Sequence, residues 1–340
     1  MKYSVILGTM TAAGLAAGAA MAGTLDDVQA RGKLNCGVTT GVPGFAQPDA
    51  DGVWQGFDVA VCRAVAAAVL GDGSAVEFVP TTGKTRFTSL ASGEIDMLAR
   101  NTTWTFSRDV DLKFEFTGVN YYDGQGFMVK KDTGITSSKS QDIDGVTVCI
   151  QTGTTTELNL ADHFRTVGMS YEPLPVESGS EAVTQYLAGA CDMFTTDASA
   201  LAARRANFEN PNDHVLLPEI ISKEPLGPLV RHGDNNWGDV VRWTLNALIT
   251  SEELGVTSGN IEEMSKGTNN PEMNRLVGSE GNLGEMLGLD ADWAKRAIMV
   301  GGNYGEIFEN NIGSGTIIGL ARGLNAQWTD GGLIYSPPFR

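Results

Sequence analysis

A six-residue phrase occurs twice in this chain and constrains its fold more than any other feature. Residues 93–98 read GEIDML, and residues 189–194 read GACDMF. Each copy follows an amphipathic stretch, which indicates a helix stopped by glycine and then a buried strand. Similarity by chance is the alternative for so short a phrase. If the repeat is structural, it predicts two α/β lobes of related design that hold a ligand between them.

Polar residues follow each copy of the phrase at the same distance. Asn101 lies five residues after Asp96, and Asp197 lies five residues after Asp192. Because ligands of open α/β sheets bind outside the carboxyl ends of the strands, both residues are candidate ligand contacts.

The length and the charge restrict the class of protein. A chain of 340 residues predicts two or three domains. The net charge of −17, with no dense block of Lys and Arg, argues against a nucleic-acid partner. It says little about small ligands, because local charge decides their binding.

The amino end has the pattern of a secretory signal. Lys2 is followed by a run of small and apolar residues, and residues 20–22 read AMA, a small-x-small cleavage pattern. We therefore expect a signal peptide at residues 1–22, a mature chain that begins at Gly23, and a periplasmic location. A membrane anchor is the alternative, but an Ala/Gly-rich segment inserts weakly.

The cysteine count agrees with export to an oxidising compartment. The four cysteines include no CxxC pair, so a zinc site or thioredoxin chemistry fits poorly. Of the three pairings, local order favours Cys36–Cys62 and Cys149–Cys191, each adding about 3–4 kcal/mol by the loop-entropy argument. Four buried thiols are the alternative.

Hydrophobic periodicity predicts two α/β runs. In the first, strands at 33–38, 76–79 and 95–99 alternate with helices, with Asp58 at an expected N-cap, and this order predicts a parallel sheet. Two extended segments are expected to cross between the lobes and to permit closure. The expected division is lobe 1 (23–123 and 228–255), crossings (124–129 and 219–227), lobe 2 (130–218) and a C-terminal extension (256–340). Trp293, Tyr304, Phe308 and Trp328 should bury the extension on the body.

Three candidate groups suit a zwitterion. Arg108 follows a strand end and can grip a carboxylate with two hydrogen bonds. Thr154 and Thr155 open a helix whose free N–H groups attract anions, and Asp197 can hold an ammonium group. Together they describe an α-amino-acid site, and Trp104, with Trp54 or Phe45, could cover the aliphatic part of the ligand.

Each of these residues also has an ordinary structural alternative. Arg108 could pair with Asp109 or Asp111 at the surface, Asp197 could cap the helix that follows it, and the threonines could simply cap theirs. The aromatic residues could be core or loop anchors.

Motifs of other activities do not occur in the sequence. There is no P-loop, no GxGxxG after a strand, no HExxH and no GxSxG elbow, and the three histidines are isolated. We therefore expect no cofactor and no metal. Catalysis by carboxylates stays open, because Asp and Glu are too common to trace.

Several stretches together resemble the family 3 extracellular solute-binding proteins of ABC-type amino-acid importers. They are GFD at 56–58, LxxGxxD at 90–96, NTTWTxxRD at 101–109 and QTGTT at 151–155. The tail, with NYGEIF at 303–308, RGLN at 322–325 and PPFR at 337–340, is similar to the general L-amino-acid-binding branch. The resemblance covers essentially the whole mature chain.

This resemblance implies an α/β, two-lobed, hinge-linked periplasmic binding protein (type II) with a C-terminal extension. It implies that Arg108 binds the ligand carboxylate with help from Thr103 and Thr154, that Asp197 takes the ammonium, and that Asn101 and Gln151 touch the ligand. Many members stack an aromatic ring after the first strand, where this chain has VPGF at 42–45, so its specificity should be broader.

The expected function is capture of L-amino acids without turnover and their delivery to the membrane permease subunits of an ABC importer. An exported cyclohexadienyl-type dehydratase on the same fold is the alternative. A sensor domain is a third possibility, but the sequence after residue 22 has no membrane segment or kinase module to receive a signal.

Overall fold

The computed structural model describes residues 23–340, and the signal peptide expected at 1–22 lies outside the described residues. The strands are β1 (Leu34–Thr39), β2 (Gln47–Pro48), β3 (Trp54–Gln55), β4 (Val76–Thr81), β5 (Met97–Leu98), β6 (Phe114–Phe116), β7 (Tyr121–Asp123), β8 (Gln125–Lys130), β9 (Val146–Gln151), β10 (Tyr171–Val176), β11 (Met193–Asp197), β12 (His214–Leu216), β13 (Glu224–Leu226) and β14 (Leu229–Arg231). The helices are α1 (Thr24–Arg31), α2 (Phe57–Leu70), α3 (Arg86–Ser92), α4 (Thr155–Val167), α5 (Gly179–Leu187), α6 (Ala198–Ala206), α7 (Asn235–Glu253), α8 (Ile261–Met264), α9 (Pro271–Leu276), α10 (Leu283–Leu287), α11 (Trp293–Gly301) and α12 (Tyr304–Asn311).

Two five-stranded sheets form the centres of two lobes. Lobe 1 has the order β4-β1-β5-β14-β6, and lobe 2 has the order β10-β9-β11-β8-β12. The first three strands of each sheet are parallel, as the helix-strand alternation predicts. One strand of each sheet, β14 in lobe 1 and β8 in lobe 2, is antiparallel to both of its neighbours, so each sheet is mixed and not wholly parallel. In lobe 1 the reason is that β14 enters the sheet after the chain has returned from the other lobe.

The repeated phrase forms the same local structure in both lobes. Gly93 and Gly189 adopt left-handed backbone (φ 79° and 77°) just after α3 and α5. Asp96 exchanges two hydrogen bonds with the backbone of Asn35 in the neighbouring strand: its N–H donates at 2.8 Å and its carboxylate accepts at 2.7 Å. Asp192 does the same with Thr147, at 2.9 and 2.8 Å. The phrase therefore stops a helix and aligns the next strand in the sheet.

The chain passes between the lobes through β7 and β13, an antiparallel pair with Tyr122 opposite Pro225. The second crossing falls within the expected range 219–227, but the first is displaced from the expected 124–129. Those residues lie almost wholly in β8, which is buried because β11 and β12 pair with it on both sides. The extended pattern at 124–129 belongs to a central strand of lobe 2, and the crossing lies immediately before it.

Two disulfides hold the pairs that local order favours. Cys36 is bonded to Cys62, with Cα atoms 6.2 Å apart, and links β1 to α2. Cys149 is bonded to Cys191, with Cα atoms 5.7 Å apart, and joins β9 to the residues just before β11.

The extension from residue 256 packs on lobe 1. Trp293, Tyr304 and Phe308 are buried there, and α11 lies against α2. Trp328, which we expected to be buried, is 48% exposed, because it lies in a short surface turn against Tyr335. The extension also touches the first crossing strand, since the side chain of Asn325 accepts from the N–H of Tyr122 at 2.7 Å and donates to its carbonyl at 3.1 Å.

Within residues 23–340, no helix is both long enough and apolar enough to cross a membrane.

Candidate ligand-binding site

A cavity lies between the two lobes, at the carboxyl ends of the central strands. The space free of protein atoms between its walls is about 490 Å³, which includes space open to solvent, and the centres of water-sized molecules can occupy about 40 Å³ of it. Its lining is polar and comes from both sides of the cleft: Thr39, Val42, Arg86, Arg100, Asn101, Thr103 and Arg108 from lobe 1, and Gln151, Thr154, Thr155, Thr156, Thr196, Asp197, Ala200 and Arg204 from lobe 2.

The structure brings together most of the site residues that the sequence predicted. Seven of them line this cavity: Asn101, Thr103, Arg108, Gln151, Thr154, Thr155 and Asp197.

Trp104 is the predicted residue that the structure does not place in the cavity. Its ring stacks on Phe116 with centroids 5.5 Å apart, and its indole N–H donates to Asp109 at 2.7 Å. It lines a separate surface groove with Tyr335 from the extension. The backbone N–H of Trp104 donates to the carbonyl of Pro225, next to the isolated bridge between Thr103 and Leu226, and this pairing directs its side chain away from the ligand side.

Arg108 lies in a short π-helical turn (Ser107–Asp111) and is only 6% exposed. Its guanidinium donates to the carbonyl of Thr103 at 2.8 Å and stacks over the ring of Phe87. The expected alternative, a surface pair with a neighbouring aspartate, does not form: the carboxylate of Asp109 accepts from the indole of Trp104 at 2.7 Å and lies 3.6 Å from His232. Arg108 therefore lines the cavity without an ion-pair partner among residues 23–340.

Asp197 ends β11 and precedes α6. It holds the N-cap position of that helix, but its side chain accepts no capping hydrogen bond from it. The carboxylate is 7% exposed and lines the cavity. Burial, and then the charges of Asp123 and Glu224, raise its pKa well above the usual value, against the opposing effect of Arg86 and Arg108. An ammonium group beside it would relieve this cost.

Thr154 serves both roles that the sequence left open. Its hydroxyl accepts from the N–H of Glu157 at 3.2 Å and so caps α4, while the residue also lines the cavity. The helix thereby directs its free amino end toward the cleft, where a carboxylate is favoured. Gln151 precedes this turn and donates to the carbonyl of Glu177 at 3.0 Å.

Asn101 has left-handed backbone (φ 44°), which is uncommon for a residue with a side chain. Both polar atoms of its side-chain amide are buried without a partner among the described residues. Its N–H donates to Asp58 at 3.2 Å, so Asp58 supports the site from behind. We expected Asp58 to be the N-cap of α2, and this was wrong: Gly56 takes that position and Asp58 lies in the first turn.

Three further arginines line the cavity, and the sequence reasoning missed them: Arg86, Arg100 and Arg204. Arg86 is the first residue of α3 and donates to the carbonyl of Gly153 across the cleft at 3.2 Å. Arg100 lies two residues after β5, so the expectation that ligand contacts lie just beyond strand ends could have identified it as well as Asn101. Arg204 lies seven residues after Asp197, on the same face of α6.

Mutual repulsion and burial act on these cations together. Burial lowers the pKa of Arg100 and of Arg108 to about 10, and for Arg100 the charge of Arg108 adds to the effect. Burial and the neighbouring Arg100 and Arg108 lower the pKa of Arg86. None of the ion pairs within residues 23–340 includes an arginine of the cavity. The site is therefore prepared for an anionic group.

Glu224, on the crossing strand β13, was also missed. It is fully buried, and its carboxylate accepts from Thr103 of lobe 1, and from Thr155 (2.9 Å) and Asn159 (2.8 Å) of lobe 2. Ser222 donates to it at 2.6 Å. One carboxylate thus joins the two lobes directly beneath the cavity.

Other contacts across the cleft hold the lobes together at its rim. Glu177 of lobe 2 accepts from the hydroxyl of Thr82 at 3.0 Å and lies 3.2 Å from the ammonium of Lys84. Thr103 and Thr155 lie within 3.3 Å of each other. The structure is therefore the closed form of a two-lobed fold.

The aromatic residues suggested as ligand covers lie elsewhere. Phe45 is fully buried against Phe57 and Tyr121, and Trp54 packs on Phe78. Val42 is the residue of the loop after β1 that lines the cavity. Within residues 23–340 no group of three His, Cys, Asp or Glu residues is arranged to hold a metal ion.

Comparison with known families gives a match over residues 34–258. The matching model is that of the bacterial extracellular solute-binding proteins, family 3.

Individual relatives match over more of the chain. It is 62% identical to a protein of Rhodobacter capsulatus named the glutamate/glutamine/aspartate/asparagine-binding protein BztA, over the full length of both chains. It is 53% identical to the general L-amino acid-binding periplasmic protein AapJ of Rhizobium johnstonii, again over both full lengths. A solved ABC transporter/periplasmic binding protein from Brucella ovis with glutathione bound superposes with a TM-score of 0.90 at 55% identity, covering 94% of this chain and 100% of that one.

Proposed function

This chain belongs to the bacterial extracellular solute-binding proteins of family 3, and from that premise we propose that it captures L-amino acids between its lobes and delivers them to the permease of an ABC importer. It has the two-lobed α/β fold of type II periplasmic binding proteins. The expected signal at residues 1–22 and the naming of a relative as periplasmic support a periplasmic location.

One observation carries the proposal. Arg108 from lobe 1 and Asp197 from lobe 2 are both buried, both lack an ion-pair partner within residues 23–340, and both line one closed cavity. A buried unpaired charge is costly, and an α-amino acid carries the two charges that would satisfy them. Asn101, Thr103, Gln151, Thr154 and Thr155 supply further hydrogen-bonding groups around these two.

The proposed orientation of the ligand follows from these positions. The α-carboxylate would lie against Arg108 and the amino end of α4, because both favour negative charge. The α-ammonium would lie against Asp197. Closure of the lobes then encloses the ligand, since one charged contact comes from each side.

The test is removal of each charge in the mature protein. A thermal-shift screen across the twenty amino acids identifies the ligands, and calorimetry then measures their affinity. Arg108→Met and Asp197→Asn should each weaken binding by roughly 3–5 kcal/mol, as for breaking a buried ion pair. Arg165→Met, which removes an exposed cation from α4, is the matched control. Near-normal affinity in both site variants would refute this assignment of the site.

The same preparation separates a receptor from a dehydratase of related fold. A receptor returns the amino acid unchanged after long incubation with excess protein. We propose that this chain is not an enzyme, because its relatives are named as binding proteins. Accumulation of an aromatic keto acid from a cyclohexadienyl acid would sink that proposal.

A further inference from the structure

The charge of the cavity exceeds what an amino-acid backbone can neutralise. Four buried guanidiniums line it, with Asp197 as the one carboxylate among the described lining residues. An α-amino acid brings one positive and one negative group, which Asp197 and Arg108 would bind under the proposed function. Since that leaves the net charge of the cavity unchanged, Arg100 and Arg204 still have no ion-pair partner among residues 23–340, although the buried carboxylate of Asp58 acts on Arg100 at longer range.

Arg86 is engaged by the protein itself. Its guanidinium donates to the carbonyl of Gly153 at 3.2 Å and to the hydroxyl of Thr102 at 3.3 Å, and it stacks over Phe87 at 4.7 Å from the ring centroid. Arg86 therefore belongs to the contacts that hold the two lobes together.

Arg204 is the least satisfied of the four. It is 8% exposed, and its Nε is buried without a partner among residues 23–340. The hydrogen bond found for its guanidinium is a long one, 3.5 Å, to the carbonyl of Gly41 in lobe 1. Burial lowers its pKa to about 10, and it remains a cation at neutral pH. A buried cation without an ion-pair partner is costly, and an anionic group of a ligand beside it would lower that cost.

The position of Arg204 strengthens the local positive potential. Its guanidinium lies against Gly179, the first residue of α5, where a Cβ atom would come within 2.2 Å of Nη2. The amino end of a helix carries partial positive charge, so this contact gives Arg204 no electrostatic stabilisation. Glycine at this position instead makes room for the guanidinium beside the cavity.

Arg100 approaches from lobe 1. It is 6% exposed, its Nε donates to the carbonyl of Thr81 at 3.1 Å, and the residue lines the cavity. Arg100 and Arg204 line the same cavity from opposite lobes. Burial, then Arg108 and Arg204, lower the pKa of Arg100, against the opposing effect of Asp197 and Asp58.

We propose that Arg100 and Arg204, from opposite lobes, form a second carboxylate subsite, so that the receptor selects L-amino acids with an acidic side chain over their amides. This inference rests on the proposed function. It goes further by assigning the side-chain subsite and its charge preference to two residues of this chain.

The test compares glutamate with glutamine, and aspartate with asparagine, in the mature protein and in Arg204→Met. Each pair has nearly the same shape and differs by one charge. In the unchanged protein the acid should bind at least tenfold more tightly than its amide. In Arg204→Met the acids should lose at least tenfold in affinity while the amides change less than threefold. Retained binding of glutamine shows that the variant is folded.

Arg205→Met is the matched control, because Arg205 lies on the same helix and does not line the cavity. It should leave both affinities unchanged, which excludes a general effect of net charge. Equal loss of acid and amide in Arg204→Met, or no preference for the acid in the unchanged protein, would overturn the subsite. Failure of the unchanged protein to bind any amino acid would instead overturn the proposed function.

Discussion

Asp58 shows how a single residue can support the site at a cost to folding. Its carboxyl is buried beneath Asn101, and burial raises its pKa to about 7. The folded state therefore holds this proton up to about pH 7, whereas the unfolded chain releases it near 3.8. Because the folded state binds more protons between these values, the free energy of unfolding should fall as pH rises from about 4 to about 7.

Asp58→Asn should remove that decline, because the amide does not ionise and still accepts a hydrogen bond. Relative to the unchanged protein, the variant should gain about 1–4 kcal/mol in free energy of unfolding between pH 4 and pH 8. Urea denaturation at both pH values measures the gain. Asp51→Asn, at an exposed position, should show none. A variant whose stability follows that of the unchanged protein at both pH values would show that Asp58 is ionised throughout.

The crossing strand β13 has a mechanical role that its position explains. Glu224 accepts hydrogen bonds from Thr103 in lobe 1 and from Thr155 and Asn159 in lobe 2, so these bonds exist together only when the lobes are closed. The strand therefore does more than connect the lobes: it stabilises their closed arrangement from below, while the ligand would do so from within.

Glu224→Ala should destabilise the closed form by about 1–3 kcal/mol, because it leaves buried hydroxyl donors without an acceptor. We expect weaker amino-acid binding by calorimetry, about tenfold or more, with a smaller loss in thermal stability. Glu219→Ala is the control: that carboxylate accepts from Ser137 and Ser138, both in lobe 2, so it should leave affinity unchanged. Equal affinities in the two variants would contradict the role of Glu224.

The whole molecule is organised around closure of two lobes, with the extension confined to one of them. The contacts across the cleft are few and mostly polar, such as Arg86 with Gly153 and Lys84 with Glu177. The exposed ion pair of Lys84 with Glu177 contributes little to the stability of the closed form, about 0–1 kcal/mol. The extension packs its apolar face on lobe 1, so it adds to the stability of that lobe and leaves the opposite side of the cleft free to move.

Ligand should therefore shift the molecule toward the closed arrangement. Small-angle scattering of the mature protein should give a smaller radius of gyration with saturating amino acid than without it, because binding favours the state in which both lobes touch the ligand. Arg108→Met at the same ligand concentration should show no such compaction. A radius that does not change in the unchanged protein at saturation would argue against closure on binding.

Local features of the chain were readable from the sequence because they depend on neighbouring residues. The helix at 86–92 and the capping of α4 by Thr154 follow from short-range spacing and capping chemistry, and the glycine stops at 93 and 189 follow from backbone freedom. Asn101 and Asp197 were placed at the cavity for the same reason, since Asn101 lies three residues after β5 and Asp197 is the last residue of β11.

Only the tertiary structure decided what depends on residues far apart in the chain. The first crossing lies at 121–123 because β11 and β12, more than sixty residues later, pair with the segment that had looked like a crossing. Trp104 faces away from the ligand side because its backbone lies beside β13. The sequence alone determined two lobes with polar strand ends. Two features follow from long-range packing, which no local pattern encodes. They are the set of cations that share the cavity and the position of Glu224 between the lobes.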